Sequence, residues 1–383
     1  MATSWPRILL VYAIGVLAAG QLGIVPPVVP ALQRDLQLSL AGAGAAVSII
    51  TLVGALFGLL AGDWCEKVGH ARAVSLGLAI MAAAAGLCAA ANGGDLLLGA
   101  RALAGVGYLL VVVAGPSLMA ALSQPRHHAI TLSLWSTFVP VGIATAGMAS
   151  AGFAAQTEWR TAFLVDAALL AAVFIFAAVV LPRPPSRREG RRPVAWRSLR
   201  ASLPLAISFF CFALLFLALA GILPAYLMES RGLAAEEAGR IVGATTACGI
   251  AGSLAAGWMM RRGLAAGRLA AVGLVASTAT AALAFSSGIE MPLVVVGFAA
   301  SFAIGGLVPA AVFASVPMIA PEPGAIGPTN GLVAQAGSLG SLAGPPLLAL
   351  WVEWLGWPSA PFLLVLFGVA GGAAALAVPH ARR

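Results

Sequence analysis

The chain is 383 residues long, 61% hydrophobic and only 9% charged, with a mean hydropathy of +1.00; soluble domains carry about 25% charged residues, so a water-soluble globule is excluded. The formal net charge of +8 would suit a nucleic-acid binder, but the basic residues lie between apolar runs rather than on one face. That pattern belongs to membrane loops and gives no nucleic-acid partner.

A spanning helix needs roughly 20 apolar residues. Twelve segments meet that length: 7–31, 41–62, 71–91, 95–121, 128–154, 161–181, 203–227, 237–258, 267–286, 291–319, 328–351 and 358–379. The first carries Pro26, Pro27 and Pro30 and no small-residue cleavage site, so it reads as helix 1 and not as a removed leader. Cys65, Cys88, Cys211 and Cys248 are too scattered for a metal cluster and read as small packing residues.

Between the sixth and seventh segments lies the one long polar stretch, with Arg183, Arg187, Arg188, Arg191, Arg192, Arg197 and Arg200 against Glu189. It divides the chain into an N-terminal six-helix bundle (1–181), a basic linker (182–202) and a C-terminal six-helix bundle (203–383). The expected fold is therefore an all-α integral membrane protein of twelve helices in two bundles. With both termini on the linker's side, most Lys and Arg residues share that side, and Arg34, Arg160, Arg231 and Arg240 fall opposite. The positive-inside rule makes the crowded side cytoplasmic, with both termini inside. Every Trp except Trp135 falls at or beyond a segment end, where an indole prefers the headgroup level.

The halves repeat at an offset of about 195 residues. Gly23-Ile24-Val25-Pro26 matches Gly221-Ile222-Leu223-Pro224; Gly44 matches Gly239; Gly54, Leu59, Ala61 and Gly62 match Gly249, Leu254, Ala256 and Gly257; Leu134 and Gly142 match Leu332 and Gly340. Such repeats imply a pseudo-twofold axis with a substrate site between the halves.

At the end of helix 2 stands Gly62-Asp63-Trp64-Cys65-Glu66-Lys67-Val68-Gly69-His70-Ala71-Arg72. It resembles the loop motif of the major facilitator superfamily, with Glu66 in place of the usual aspartate and His70 and Arg72 at the positive end. Helix 4 carries Arg101-Ala102-Leu103-Ala104-Gly105-Val106-Gly107, which is similar to the superfamily's arginine motif. The first motif implies a gating latch built from Gly62, Asp63, Glu66, Lys67, Gly69 and Arg72 that breaks when the halves rock apart. Its second-half counterpart, Gly257 to Gly263, has no acid, so the latch is asymmetric. Arg101 lies about six residues inside its helix; it either snorkels outward or finds a buried partner or wet cavity. Asp166 sits at a comparable depth in helix 6, and an Arg101 to Asp166 pair is the candidate coupling element.

The resemblance covers the whole chain and implies a substrate cavity lined by helices 1, 4, 7 and 10, with 2, 5, 8 and 11 beside them. Its candidate lining residues are Gln21, Arg101, Tyr108, Trp135, Thr137, Phe212, Ser301, Phe302 and Gln335. A mostly apolar lining suits a neutral or weakly charged organic solute. Helix 5 lacks the Gly-Pro signature of the superfamily's drug/proton antiporters; the nearest match, Gly344-Pro345, is in helix 11. Pro26-Pro27 and Trp159-Arg160 with Phe163 are similar to cyanate-permease-like and anion-porter-like members, yet helices 2 and 8 have no central arginine of the nitrate-porter kind.

The expected function is secondary transport by alternating access, with the proton as coupling ion, in a bacterial-type inner membrane. The expected state is a monomer with no cofactor and no bound metal. Alternatives on the same fold are a uniporter, a drug or metabolite exporter, and a copper or vitamin importer. An enzyme is not expected, because His70, His127 and His380 lie outside the spans and His128 at the very start of one, and no nucleotide-binding loop occurs.

Overall fold

The computed structural model describes residues 3–154, 159–181, 196–286, 288–320 and 325–378; the arginine run at 183–192 lies outside them. Among the described residues the regular structure is entirely helical. The α-helices are α1 (Trp5–Gly23), α2 (Val29–Asp35), α3 (Leu40–Val68), α4 (His70–Ala89), α5 (Gly94–Ala121), α6 (His128–Ser136), α7 (Phe138–Ala154) and α8 (Trp159–Val180). The second half continues with α9 (Leu203–Arg231), α10 (Ala235–Arg261), α11 (Ala266–Ala284), α12 (Met291–Gly305), α13 (Leu307–Ile319), α14 (Ile326–Leu355) and α15 (Ala360–Leu376).

Three helices expected to be continuous are broken. Helix 1 ends at Gly23 and restarts as α2, because Pro26 and Pro27 have no N–H to offer the carbonyls of Leu22 and Gly23. The fifth segment divides at Thr137 and the tenth at Gly306. Each break falls three residues before a proline, Pro140 and Pro309. The repeat does not reproduce the first break: α9 runs unbroken through Pro224.

Among the described residues, eleven stretches are long and apolar enough to cross a bilayer. The twelfth expected span, α14, has 30 residues, but its glycines, prolines, Asn330 and Gln335 dilute its apolarity. The outer faces are hydrocarbon: Leu164, Val165, Ile175, Phe176 and Val179 are all exposed on α8. Outward-facing apolar surface of this extent is stable only in lipid, and the chain is a multi-pass integral membrane protein.

The helices group into two compact units. Unit 1 holds Met1–Pro125, Phe138–Val194 and Gly324–Gln335; unit 2 holds Arg126–Thr137, Ala195–Pro323 and Ala336–Arg383. These differ from simple halves cut at the linker, since each unit takes one short segment from the other half's sequence. In unit 1, α4 packs on α5 and α8, and α1 on α7. In unit 2, α11 packs on α12 and α15, and α6 lies on α10 and α13.

Candidate functional site

In unit 1 the break in helix 1 sets up a buried polar chain. The carbonyl of Gln21 has its helical partner position at Val25, beyond the last helical residue, so it is free to turn to a side chain. Arg101 supplies that side chain. It is fully buried, 0% exposed, and donates from Nη2 to the Gln21 carbonyl at 2.5 Å, from Nη1 to Gln21 Oε1 at 3.4 Å and from Nε to the Ala46 carbonyl of α3 at 3.0 Å. Snorkelling is thereby excluded.

The other end of the same amide, Gln21 Nε2, donates to Asp166 Oδ2 on α8 at 2.5 Å. The expected direct pairing of Arg101 with Asp166 does not form; Gln21 stands between them. Its orientation follows from electrostatics, the oxygen facing the cation and the nitrogen facing the anion. A cavity of about 230 Å³ opens beside the Asp166 carboxylate between α1, α7 and α8.

Nearer the end of α8, Trp159 Nε1 donates to Asp35 on α2 at 2.7 Å, and Arg160 stacks 4.1 Å over the Trp159 ring while donating to the Ala91 carbonyl. Phe163 meets the same indole edge-on at 6.2 Å. These contacts fix the turn of α8 just ahead of Asp166.

The latch motif also lies in unit 1. Gly69 ends α3 and starts α4 at φ +99°, a conformation that a side chain rarely adopts. Across it, Glu66 Oε2 lies 3.2 Å from His70 Nε2. The same oxygen accepts from the backbone N–H of Gly327 at 3.2 Å, in the first turn of α14, where a carboxylate also meets the positive end of the helix. Asp63 pairs with Lys67 one turn away; this exposed pair contributes little, by about 0.3–0.5 kcal/mol. Arg72 is exposed.

What seats residues 327–335 is a seam of small residues that the sequence does not announce. A Cβ on Gly62 would meet the Gly327 carbonyl at 2.5 Å, and one on Gly331 would meet the Gly58 carbonyl at 2.5 Å. Glycines spaced by four on both helices, Gly58 and Gly62 facing Gly327 and Gly331, let the backbones touch; that spacing was the available signal. Gln335 finishes the seam, donating to the Ala55 carbonyl at 2.8 Å and accepting from the Leu59 N–H at 3.2 Å. Asn330 Nδ2 donates to Ser117 Oγ on α5 at 2.8 Å. Unit 2 carries the repeat's counterpart: Gly257, the equivalent of Gly62, lies against Ala129 and Ser133 of α6.

The remaining candidate lining residues have varied surroundings. Tyr108 is buried on α5 and Trp135 on α6. Thr137 marks the break before α7 and donates to the Leu134 carbonyl at 2.8 Å. Ser301 turns toward α11, donating to the Ser277 carbonyl at 2.8 Å. In unit 2, Phe212 belongs to a run of rings with Phe209, Phe216 and Phe302, successive centroids 5.8, 5.7 and 5.4 Å apart. Gln335, expected in the cavity, spends its amide on the α3 backbone.

Comparison with known proteins agrees with this architecture. The human organic anion transporter MFSD10 superposes with a TM-score of 0.79 at 16% identity, covering 96% of this chain and 98% of that one. The E. coli fucose:proton symporter FucP (N162A) gives 0.79 at 16% identity, covering 97% and 98%. In sequence, the methylenomycin A resistance protein of Bacillus subtilis (strain 168) is 29% identical over 182 residues, 47% of this chain and 39% of that protein. The chain thus spans well under half the length of the curated relatives it matches. The sequence profile of the Major Facilitator Superfamily matches residues 11–305 and 205–383, and the chain belongs to that superfamily.

Proposed function

We propose that the protein is a secondary transporter that moves a small organic solute by alternating access, coupled to protons through the Arg101–Gln21–Asp166 chain. The observation that carries the coupling is the chain itself. A fully buried guanidinium and a carboxylate joined through one amide are expensive in a bilayer and are retained where charge moves. The chain ties α1, α5 and α8 together, so a change of charge at Asp166 is felt by Gln21 and, through it, by Arg101.

Alternating access has its support in the two exchanged segments. Residues 327–335 lie on α3 through the glycine seam, and α6 lies on α10. By the positive-inside reading the Glu66 end of the seam is cytoplasmic, and both contacts are the ones released in the transport cycle. The mostly apolar surroundings of Phe212, Phe302 and Tyr108 favour an organic solute over a phosphorylated one. An inner-membrane location with cytoplasmic termini and action as a monomer complete the reading.

The test is made in proteoliposomes loaded with substrate, with a pH step imposed at fixed membrane potential. Accumulation that follows the pH step, and stops in Asp166→Asn, is expected. Equilibration that ignores the step in both proteins overturns coupling and leaves facilitated diffusion.

A further inference from the structure

The cavity beside Asp166 has a lining whose chemistry is one-sided. Thr145 on α7 spends its hydroxyl proton on the Val141 carbonyl at 2.9 Å, and Ser150 spends its own on the Ile24 carbonyl at 2.6 Å, in the gap that Pro26 and Pro27 open. A hydroxyl has one proton, so the oxygen of Thr145, an exposed residue, is left as an acceptor toward the cavity, while Ser150 is 1% exposed and only closes the wall. The third polar group is the Asp166 carboxylate, an acceptor when ionised, whose hydrogen bond among the described residues comes from Gln21. Among the described residues Arg101 reaches this carboxylate only through the Gln21 amide, and none forms an ion pair with Asp166. The rest of the lining is apolar, and Val165 and Leu169, which line it on α8, are 50% and 46% exposed on the face that lipid covers.

A negative charge beside an acceptor, in an apolar crevice reached from the hydrocarbon, selects a cation that donates hydrogen bonds and carries an apolar tail. We infer that the crevice between α1, α7 and α8 is a binding site for a small amphipathic ammonium, with Asp166 as its counter-ion and Thr145 as an acceptor for one of its N–H groups. Quaternary cations, which have no N–H, lose the Thr145 contact. The volume of about 230 Å³ lies below the roughly 300–1,000 Å³ of sites for drug-sized ligands, so the ligand is a simple alkyl or aryl amine. The site shares Asp166 with the coupling chain.

The test is equilibrium titration calorimetry on the whole protein in nanodiscs of zwitterionic lipid, with empty nanodiscs subtracting partition into lipid. The probes are octylammonium, 1-octanol and octanoate. Saturable binding of octylammonium alone is expected, weakened at least tenfold by Asp166→Asn and by Ala149→Phe. Ala149 lines the crevice and is exposed to lipid, so the larger ring fills the crevice without entering the core, and this variant remains informative if Asp166→Asn fails to fold. Equal binding of octanol would identify an acyl-chain groove with no role for the charge and would overturn the proposal. Undiminished octylammonium binding in Ala149→Phe, or none in the wild type, overturns it as well. Because no gradient is applied, these outcomes are independent of whether the protein transports anything.

Discussion

Gln21 meets Arg101 twice, once with its backbone carbonyl at 2.5 Å and once with its side-chain oxygen at 3.4 Å. One residue thus reads the guanidinium through both its main chain and its side chain. The helix break at Gly23 makes the first contact available, and the length of the glutamine side chain makes the second.

Arg101→Lys should fold and express normally yet lose most of its transport. Lysine keeps the charge but not the planar fork that reaches Ala46 and both oxygens of Gln21 together. With hydrogen bonds to a charged group contributing about 1.5–3 kcal/mol each, loss of a single one lowers the rate roughly tenfold or more. Uptake in vesicles at matched expression measures this, and wild-type activity in the lysine variant would sink the coupling role.

Gln21→Leu should uncouple rather than merely weaken. Arg101 keeps the Gln21 backbone carbonyl and Ala46, so the bundle survives, but nothing then links the cation to Asp166. The expected outcome is substrate exchange that persists while the response to an imposed pH step disappears. Loss of exchange and pH response in equal proportion would argue against a relay.

Glu66→Gln should loosen the seating of residues 324–335 without abolishing it. The amide still accepts from Gly327 N–H, but the charge facing the helix N-terminus is gone, a change of about 0.3–1 kcal/mol. Single cysteines on the two membrane faces should report a shift of severalfold at most toward labelling from the cytoplasmic side. Unchanged labelling on both faces would count against the latch.

Gly331→Ala should act more strongly than the charge change, because the added methyl would press on the Gly58 carbonyl at 2.5 Å and on Gly62. Backbone has little room to yield, and overpacking of this kind typically costs about 1–3 kcal/mol. The same cysteine assay should show a larger shift than Glu66→Gln gives, with thermal stability of the rest of the protein preserved. A smaller shift would mean that the seam is not what holds the segment.

Much of this was legible from local pattern. Length and apolarity placed the helices, and the depth of Arg101 and Asp166 in their spans marked both as costly. Gln21 as the link between them was not legible, because it depends on how α1 lies between α5 and α8. The breaks were only half written. Pro140 and Pro309 each follow a break by three residues, yet Pro116, Pro224 and Pro345 sit inside unbroken helices, so proline alone does not say where a membrane helix parts. The contacts of Gln335 are hidden for a similar reason: by sequence an amide in a span reads as a substrate ligand, whereas its partners are carbonyl and N–H groups some 280 residues away.

Gly69 joins α3 to α4 with no loop at all. Its N–H still bonds back to Cys65 while its carbonyl already receives the N–H of Ala73. The two helices therefore share a single pivot, and α4 packs along α8, which carries Asp166. Glycine is the residue that tolerates the widest range of φ and ψ, so the torsion of this one position decides whether a tilt of α3 would be absorbed at the elbow or handed on to α4 and the carboxylate's helix.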